Sequence, residues 1–168
     1  MKKVIGIAGW SGSGKTTVVE SLIRIFKTKY SFTVCALKHA HESFKIDQEG
    51  KDSFRFSEAG ANQVIISSKK QWAVINNLDD REKELEYLLK QAVNSDIIIV
   101  EGWKHSNLKK IEVYREKVNK DFLYIKDENI VAIALDDINV EIKKPIQKLN
   151  LNDHLGIADF IVKNKFDI

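Results

Sequence analysis

Val4-Ile5-Gly6-Ile7-Ala8-Gly9-Trp10-Ser11-Gly12-Ser13-Gly14-Lys15-Thr16-Thr17 carries the reading of this fold. Val4 to Ala8 is a short apolar run ended by a glycine, the pattern of a buried strand. Lys15 to Lys29 repeats apolar residues at Val18, Val19, Leu22, Ile23 and Phe26, the spacing of an amphipathic helix. Between them, Gly9 to Thr16 matches G-x-x-x-x-G-K-[ST] at every fixed position. A loop that leaves a strand and opens a helix can wrap a polyphosphate with its backbone N–H groups, and the helix N-terminus favours the negative charge. In that role Gly9, Gly12, Ser13 and Gly14 approach the phosphates. Lys15 reaches the β/γ-phosphates, the Thr16 hydroxyl ligates Mg²⁺, and Thr17 bonds the α-phosphate. A ligand-free Gly/Ser turn is the plain alternative; the flanking strand and helix supply the context the motif requires.

Working outward, Phe32 to Leu37 reads as a second strand, so residues 4–37 have the size of a βαβ unit with a parallel strand pair. A polar loop follows over 38–53, then a short helix capped by Asp52 or Ser53 and ended at Gly60. Asn62–Ser67 and Gln71–Ile75 read as a hairpin. Asp79 or Asp80 is expected to cap a helix reaching Val93. Asp96–Glu101, Lys110–Arg115 and Ile130–Leu135 read as further strands. A last helix spans 153–163 with Leu155, Ala158, Ile161 and Val162 inward. The order predicts an α/β, P-loop NTPase-like three-layer sandwich, its mainly parallel sheet flanked by helices, with residues 1–168 as a single nucleotide-binding domain.

Composition agrees with one globular domain. The chain has 168 residues, 43% hydrophobic and 30% charged, with a net charge of only +3. So small a surplus gives no argument for nucleic acid or membrane as a partner. Cys35 is the one cysteine, so no intrachain disulfide forms. No apolar run approaches the ~20 residues of a membrane helix. A cytoplasmic location is the simplest expectation.

A phosphate loop needs a carboxylate on a neighbouring strand to hold magnesium. Asp96 opens its strand and lies at the wrong end of the sheet. Glu101 closes the strand at the carboxyl edge, where ligands bind, and is the expected magnesium and catalytic partner of Lys15; a solvated glutamate is the alternative. Lys38 and His39 follow the second strand at the same edge and are expected near substrate or phosphate. His41 reads equally as a solvated loop residue. Lys15, Lys38, Lys51 and Lys104 are expected to converge there. Asp47 and the Gly50-Lys51-Asp52-Ser53 run read as a salt-bridged loop or as a second anion or magnesium site. Trp10 and Trp103 read as a contact surface or as a mutually packed pair. Asn164-Lys165-Phe166-Asp167 fits the guanine-reading N-K-x-D pattern but follows a helix rather than a buried strand, and reads as coincidence. Asp136 and Asp137 are better placed for a base edge.

Taken together, the phosphate loop, Lys38-His39-Ala40-His41, Gly50-Lys51-Asp52-Ser53, Ala59-Gly60-Ala61, Ile99-Val100-Glu101-Gly102-Trp103-Lys104-His105 and Ala158-Asp159-Phe160 resemble the MobB family of molybdopterin-guanine dinucleotide biosynthesis adaptors over nearly the whole length. The resemblance implies a homodimeric protein that binds GTP and Mg²⁺, with weak GTPase activity. It implies an accessory role to a MobA-like guanylyltransferase in molybdenum cofactor biosynthesis. The competing reading is a P-loop small-molecule kinase, but with arginines only at 24, 55, 81 and 115 no Arg-rich lid is evident. A metal-delivery role for His39, His41 and His105 lacks a Cys-His cluster.

Overall fold

The computed structural model describes residues 2–40, 44, 46–78 and 81–166. In chain order the elements are β1 (Lys3–Ala8), α1 (Lys15–Lys29), β2 (Val34–Lys38), α2 (Asp52–Glu58), β3 (Gln63–Ser67), β4 (Trp72–Asn76), α3 (Leu85–Gln91), β5 (Ile97–Glu101), β6 (Lys110–Tyr114), a 3₁₀ turn at Glu116–Val118, β7 (Ile130–Leu135), β8 (Gln147–Asn150) and α4 (His154–Lys163). They fall into two compact units, Met1–His39 with Leu85–Ile168, and Ala40–Glu84.

The first unit holds a six-stranded sheet in the order β2-β5-β1-β6-β7-β8, with every pairing parallel. β1 and β2 are parallel, as the sequence predicts, but they are not neighbours. β5 lies between them, pairing Ile7 with Glu101 on one side and Lys38 with Glu101 on the other. Residues Ile97 to Val100 are apolar without alternation, so β5 is stable only where both its faces are covered. β2, half-exposed, takes the edge instead.

Side chains alternate between two cores. Ile5, Ile7, Ile97 and Ile99 meet Val18, Leu22 and Phe26 of α1 and Ile157, Ala158 and Ile161 of α4. The α1 residues recur every four positions and so form one stripe; burying each contributes about 1.5–3 kcal/mol. On the opposite face Val4, Ile98 and Val100 meet Leu85 and Leu89 of α3, and Ile133 and Leu135 meet Tyr124. Three layers result.

Two expectations are corrected here, and one strand is added. α3 starts at Leu85, because Arg81 to Glu84 offer no apolar residue to either core; the expected caps Asp79 and Asp80 lie outside the described residues. In α4, Asp153 is the N-cap, accepting the Gly156 N–H at 2.8 Å. Leu155, however, stands off the buried stripe and is 46% exposed. β8, four residues of Gln-Lys-Leu-Asn at the sheet edge, has no counterpart in the sequence reading.

In the second unit β3 and β4 form an antiparallel hairpin closed by Ser68, whose N–H donates to the Gln71 carbonyl at 2.8 Å. Lys51, not Asp52 or Ser53, occupies the N-cap position of α2, without a side-chain cap. Among the described residues no helix is long and apolar enough to cross a membrane.

Candidate functional site

Parallel pairing puts every strand's carboxyl end on one edge of the six-stranded sheet. The strand order therefore ranks, along that edge, Lys38-His39 after β2, Glu101-Gly102 after β5, the glycine-rich loop after β1, Arg115 after β6 and Asp136 after β7. The site is a consequence of topology acting on residues far apart in sequence.

The loop is tightly closed. The Lys15 ammonium folds back to donate to the Trp10 carbonyl at 2.9 Å, and the Ser13 N–H donates to the same oxygen at 3.2 Å. Ser13 is turned inward and buried, its hydroxyl without a hydrogen-bond partner. Gly9 is buried, Gly12 exposed, and Gly14 caps α1 in a left-handed conformation (φ +95°) that disfavours any side chain. Burial pushes the Lys15 ammonium below its ordinary pKa, and the neighbouring Lys104 and Lys38 charges push it the same way. Glu101 acts against them.

The Thr16 hydroxyl donates to Glu101 Oε1 at 3.4 Å. Two hard oxygens from β5 and α1 thus stand together, the donor type Mg²⁺ prefers. Among the described residues no group of three or more His, Cys, Asp or Glu gathers into a metal site. A magnesium ion here would take its remaining ligands from phosphate oxygens and water, its usual habit. Thr17 is exposed on the first turn of α1.

His39 is held beside Glu101 by its backbone N–H, which donates to the Glu101 carbonyl at 2.8 Å. Its ring lies 4.8 Å from Trp103. Gly102 makes this approach possible: a Cβ there would stand 2.4 Å from the His39 Cβ. Trp10 and Trp103 do not pair with each other. Trp10 receives the Lys104 ammonium over its ring at 4.7 Å and donates its indole N–H to the Asp121 carbonyl at 2.7 Å, while Trp103 packs on His39 and the α3-side core.

Lys15, Lys38, Lys104 and Glu101 are thus brought together as expected. Lys51 and Asp47 belong to the other unit, where Asp47 accepts from the Ser53 hydroxyl at 2.9 Å. His105 is exposed, and His41 lies outside the described residues. Asp136 and Asp137 are engaged locally, accepting the Glu116 and Asn139 N–H groups. The N-K-x-D stretch serves the end of α4: Asn164 caps it and Phe166 is buried, while Asp167 lies outside the described residues.

One residue escaped the sequence reading as part of this edge. Arg115 donates its Nε–H to the Ser13 carbonyl at 3.0 Å and lies against Gly14. Its position directly after β6 is a signal only once β6 is known to neighbour β1.

An all-parallel sheet presenting a glycine-rich strand–loop–helix at its carboxyl edge, with a lysine, a threonine and a facing glutamate, defines a class of α/β protein. Within it the chain belongs to the MobB family, described as molybdopterin guanine dinucleotide synthesis protein B, whose pattern matches residues 4–136. It is 37% identical over 160 residues to the molybdopterin-guanine dinucleotide biosynthesis adapter protein of Haemophilus influenzae, covering 94% of this chain and 86% of that protein. It is 33% identical to the protein of the same description from Escherichia coli, covering 97% and 93%. The solved structure of Bacillus subtilis MobB superposes with a TM-score of 0.72 at 20% identity, covering 96% of each chain, and shares the fold.

Proposed function

We propose that the protein is an adapter in molybdopterin guanine dinucleotide biosynthesis that binds GTP and Mg²⁺ at its glycine-rich loop and assists a MobA-like guanylyltransferase. The observation that carries this reading is the meeting of Thr16 and Glu101 at 3.4 Å beside a loop that matches G-x-x-x-x-G-K-[ST] at every fixed position. The loop and the α1 N-terminus supply N–H donors and positive potential for a polyphosphate. Lys15 would lie on the β/γ-phosphates. Its depressed pKa marks an ammonium that is buried among like charges and gains when an anion arrives. Thr16 and Glu101 would hold the magnesium, and Gly9, Gly12, Ser13, Gly14, Thr17, Lys38 and His39 would complete the edge. Magnesium, when bound, neutralises charge on the phosphate oxygens.

Membership in a family whose members are described as adapter proteins supports the accessory role. A homodimer is supported by the β3–β4 hairpin. Ile65 and Val74 are cross-strand partners on one face with Trp72 beside them, and Ile65 and Trp72 are 64% and 70% exposed. A two-stranded hairpin is marginal alone, and an apolar strip of this kind is covered by a second copy in this reading. Titration with GTP and with ATP in the presence of magnesium tests the nucleotide assignment.

A further inference from the structure

The glycine-rich loop is held from outside, by the segment that follows β6 on its far side from Glu101. Trp10, near the start of the loop, is tied through its indole N–H to the Asp121 carbonyl at 2.7 Å. The end of the loop is tied by Arg115, whose Nε–H donates to the Ser13 carbonyl at 3.0 Å. Arg115 lies so close over Gly14 that a Cβ there would stand 3.2 Å from Nε. Among the described residues no carboxylate pairs with its half-buried guanidinium.

The peptide between Ser13 and Gly14 is trans, as all described peptides are. In a planar trans peptide the C=O and N–H point in opposite directions. Fixing the Ser13 carbonyl on Arg115 therefore turns the Gly14 N–H to the side away from Arg115. Without that tie the peptide is free to rotate, because Gly14 tolerates many conformations, and a rotated peptide would present a carbonyl oxygen to an anion. We infer that Arg115 is a positioning residue for phosphate binding, acting through the Ser13 carbonyl to aim the Gly14 N–H at the ligand. The inference rests on the reading that the loop binds phosphate.

The test uses the whole chain and calorimetric titration with GTP and GDP in magnesium. Arg115→Met keeps the apolar stem and removes donor and charge. Arg115→Gln keeps an N–H donor at the same number of bonds from Cα as Nε, without the charge. Arg115→Met is expected to weaken both nucleotides about tenfold, the scale of one charge-assisted hydrogen bond, with the melting temperature within a few degrees of wild type. Arg115→Gln is expected to stay within about threefold of wild type. If Arg115→Met binds as tightly as wild type, or if Arg115→Gln falls as far as Arg115→Met, the positioning role is overturned, the second outcome assigning the effect to charge alone. Should Arg115→Met not fold, Arg115→Ala takes its place in both comparisons. If wild type binds neither nucleotide, the phosphate reading fails first and the role of Arg115 falls with it.

Discussion

Glu101 ends a strand whose four preceding residues are all apolar and buried, so its carboxylate is the first polar group to emerge at the sheet edge. That placement was legible from Asp96-Ile97-Ile98-Ile99-Val100-Glu101 alone, because a parallel strand has only one end at which ligands bind. The pairing of Glu101 with Thr16 follows from β5 lying beside β1. Arg115 was not legible, because nothing local marks a residue whose partner is a backbone carbonyl 102 positions away. The Glu101 carboxylate carries a sharp expectation. Glu101→Gln keeps the shape and an acceptor for Thr16 but removes the charge that would serve magnesium. It should lower magnesium-dependent GTP hydrolysis by roughly 10²-fold while weakening GTP binding only severalfold. Steady-state hydrolysis beside calorimetry separates the two, and equal losses in both would make Glu101 a structural residue.

At the scale of elements, β6 joins the site to the core. Glu112, on this strand, is fully buried, and its two carboxylate oxygens accept the Leu123 and Tyr124 N–H groups at 2.8 and 2.9 Å. Lys110, also buried, pairs with Asp127 at 3.1 Å. These contacts fix the segment that carries Asp121, the acceptor for Trp10. Burial pushes the Glu112 carboxyl above its ordinary value of 4.5, and the nearby Asp127 charge adds to the push; the two N–H bonds oppose it. The folded state therefore holds this proton more tightly than the unfolded state. Its contribution to stability is complete below pH 4.5 and is lost as pH rises through the raised value. Glu112→Gln should remove that slope. It should also cost about 1–3 kcal/mol, since the glutamine NH₂ would face one of the two N–H groups that a carboxylate oxygen now accepts. Urea unfolding at a series of pH values checks both; an unchanged slope would show that another group titrates. Elements with strong periodicity, β1, α1 and β7, were readable in sequence. β8 was not, because Gln147-Lys148-Leu149-Asn150 is a polar edge strand that gains its conformation from β7. α3 was overextended in reading, because charge-rich residues before Leu85 mimic a capped first turn.

For the whole molecule, a net charge of +3 conveys little, whereas its distribution conveys more. Lys15, Lys38, Lys104 and Arg115 share one edge, with Glu101 facing Lys15. The proposed homodimer makes its own demand: wild type should run as a dimer in light scattering, and Ile65→Glu with Trp72→Glu should run as a monomer, because both side chains are exposed and apolar on the hairpin. A monomeric wild type, or a dimeric double variant, would remove the hairpin from the interface. The nucleotide assignment is the central claim, and one calorimetric experiment bears on it most directly. Titrated with magnesium and nucleotide, wild type should bind one GTP per chain at least tenfold more tightly than ATP, and Lys15→Ala should lose most of that affinity, because the charge on the β/γ-phosphates is gone. Equal affinity for ATP, or GTP binding unaffected by Lys15→Ala, would contradict it.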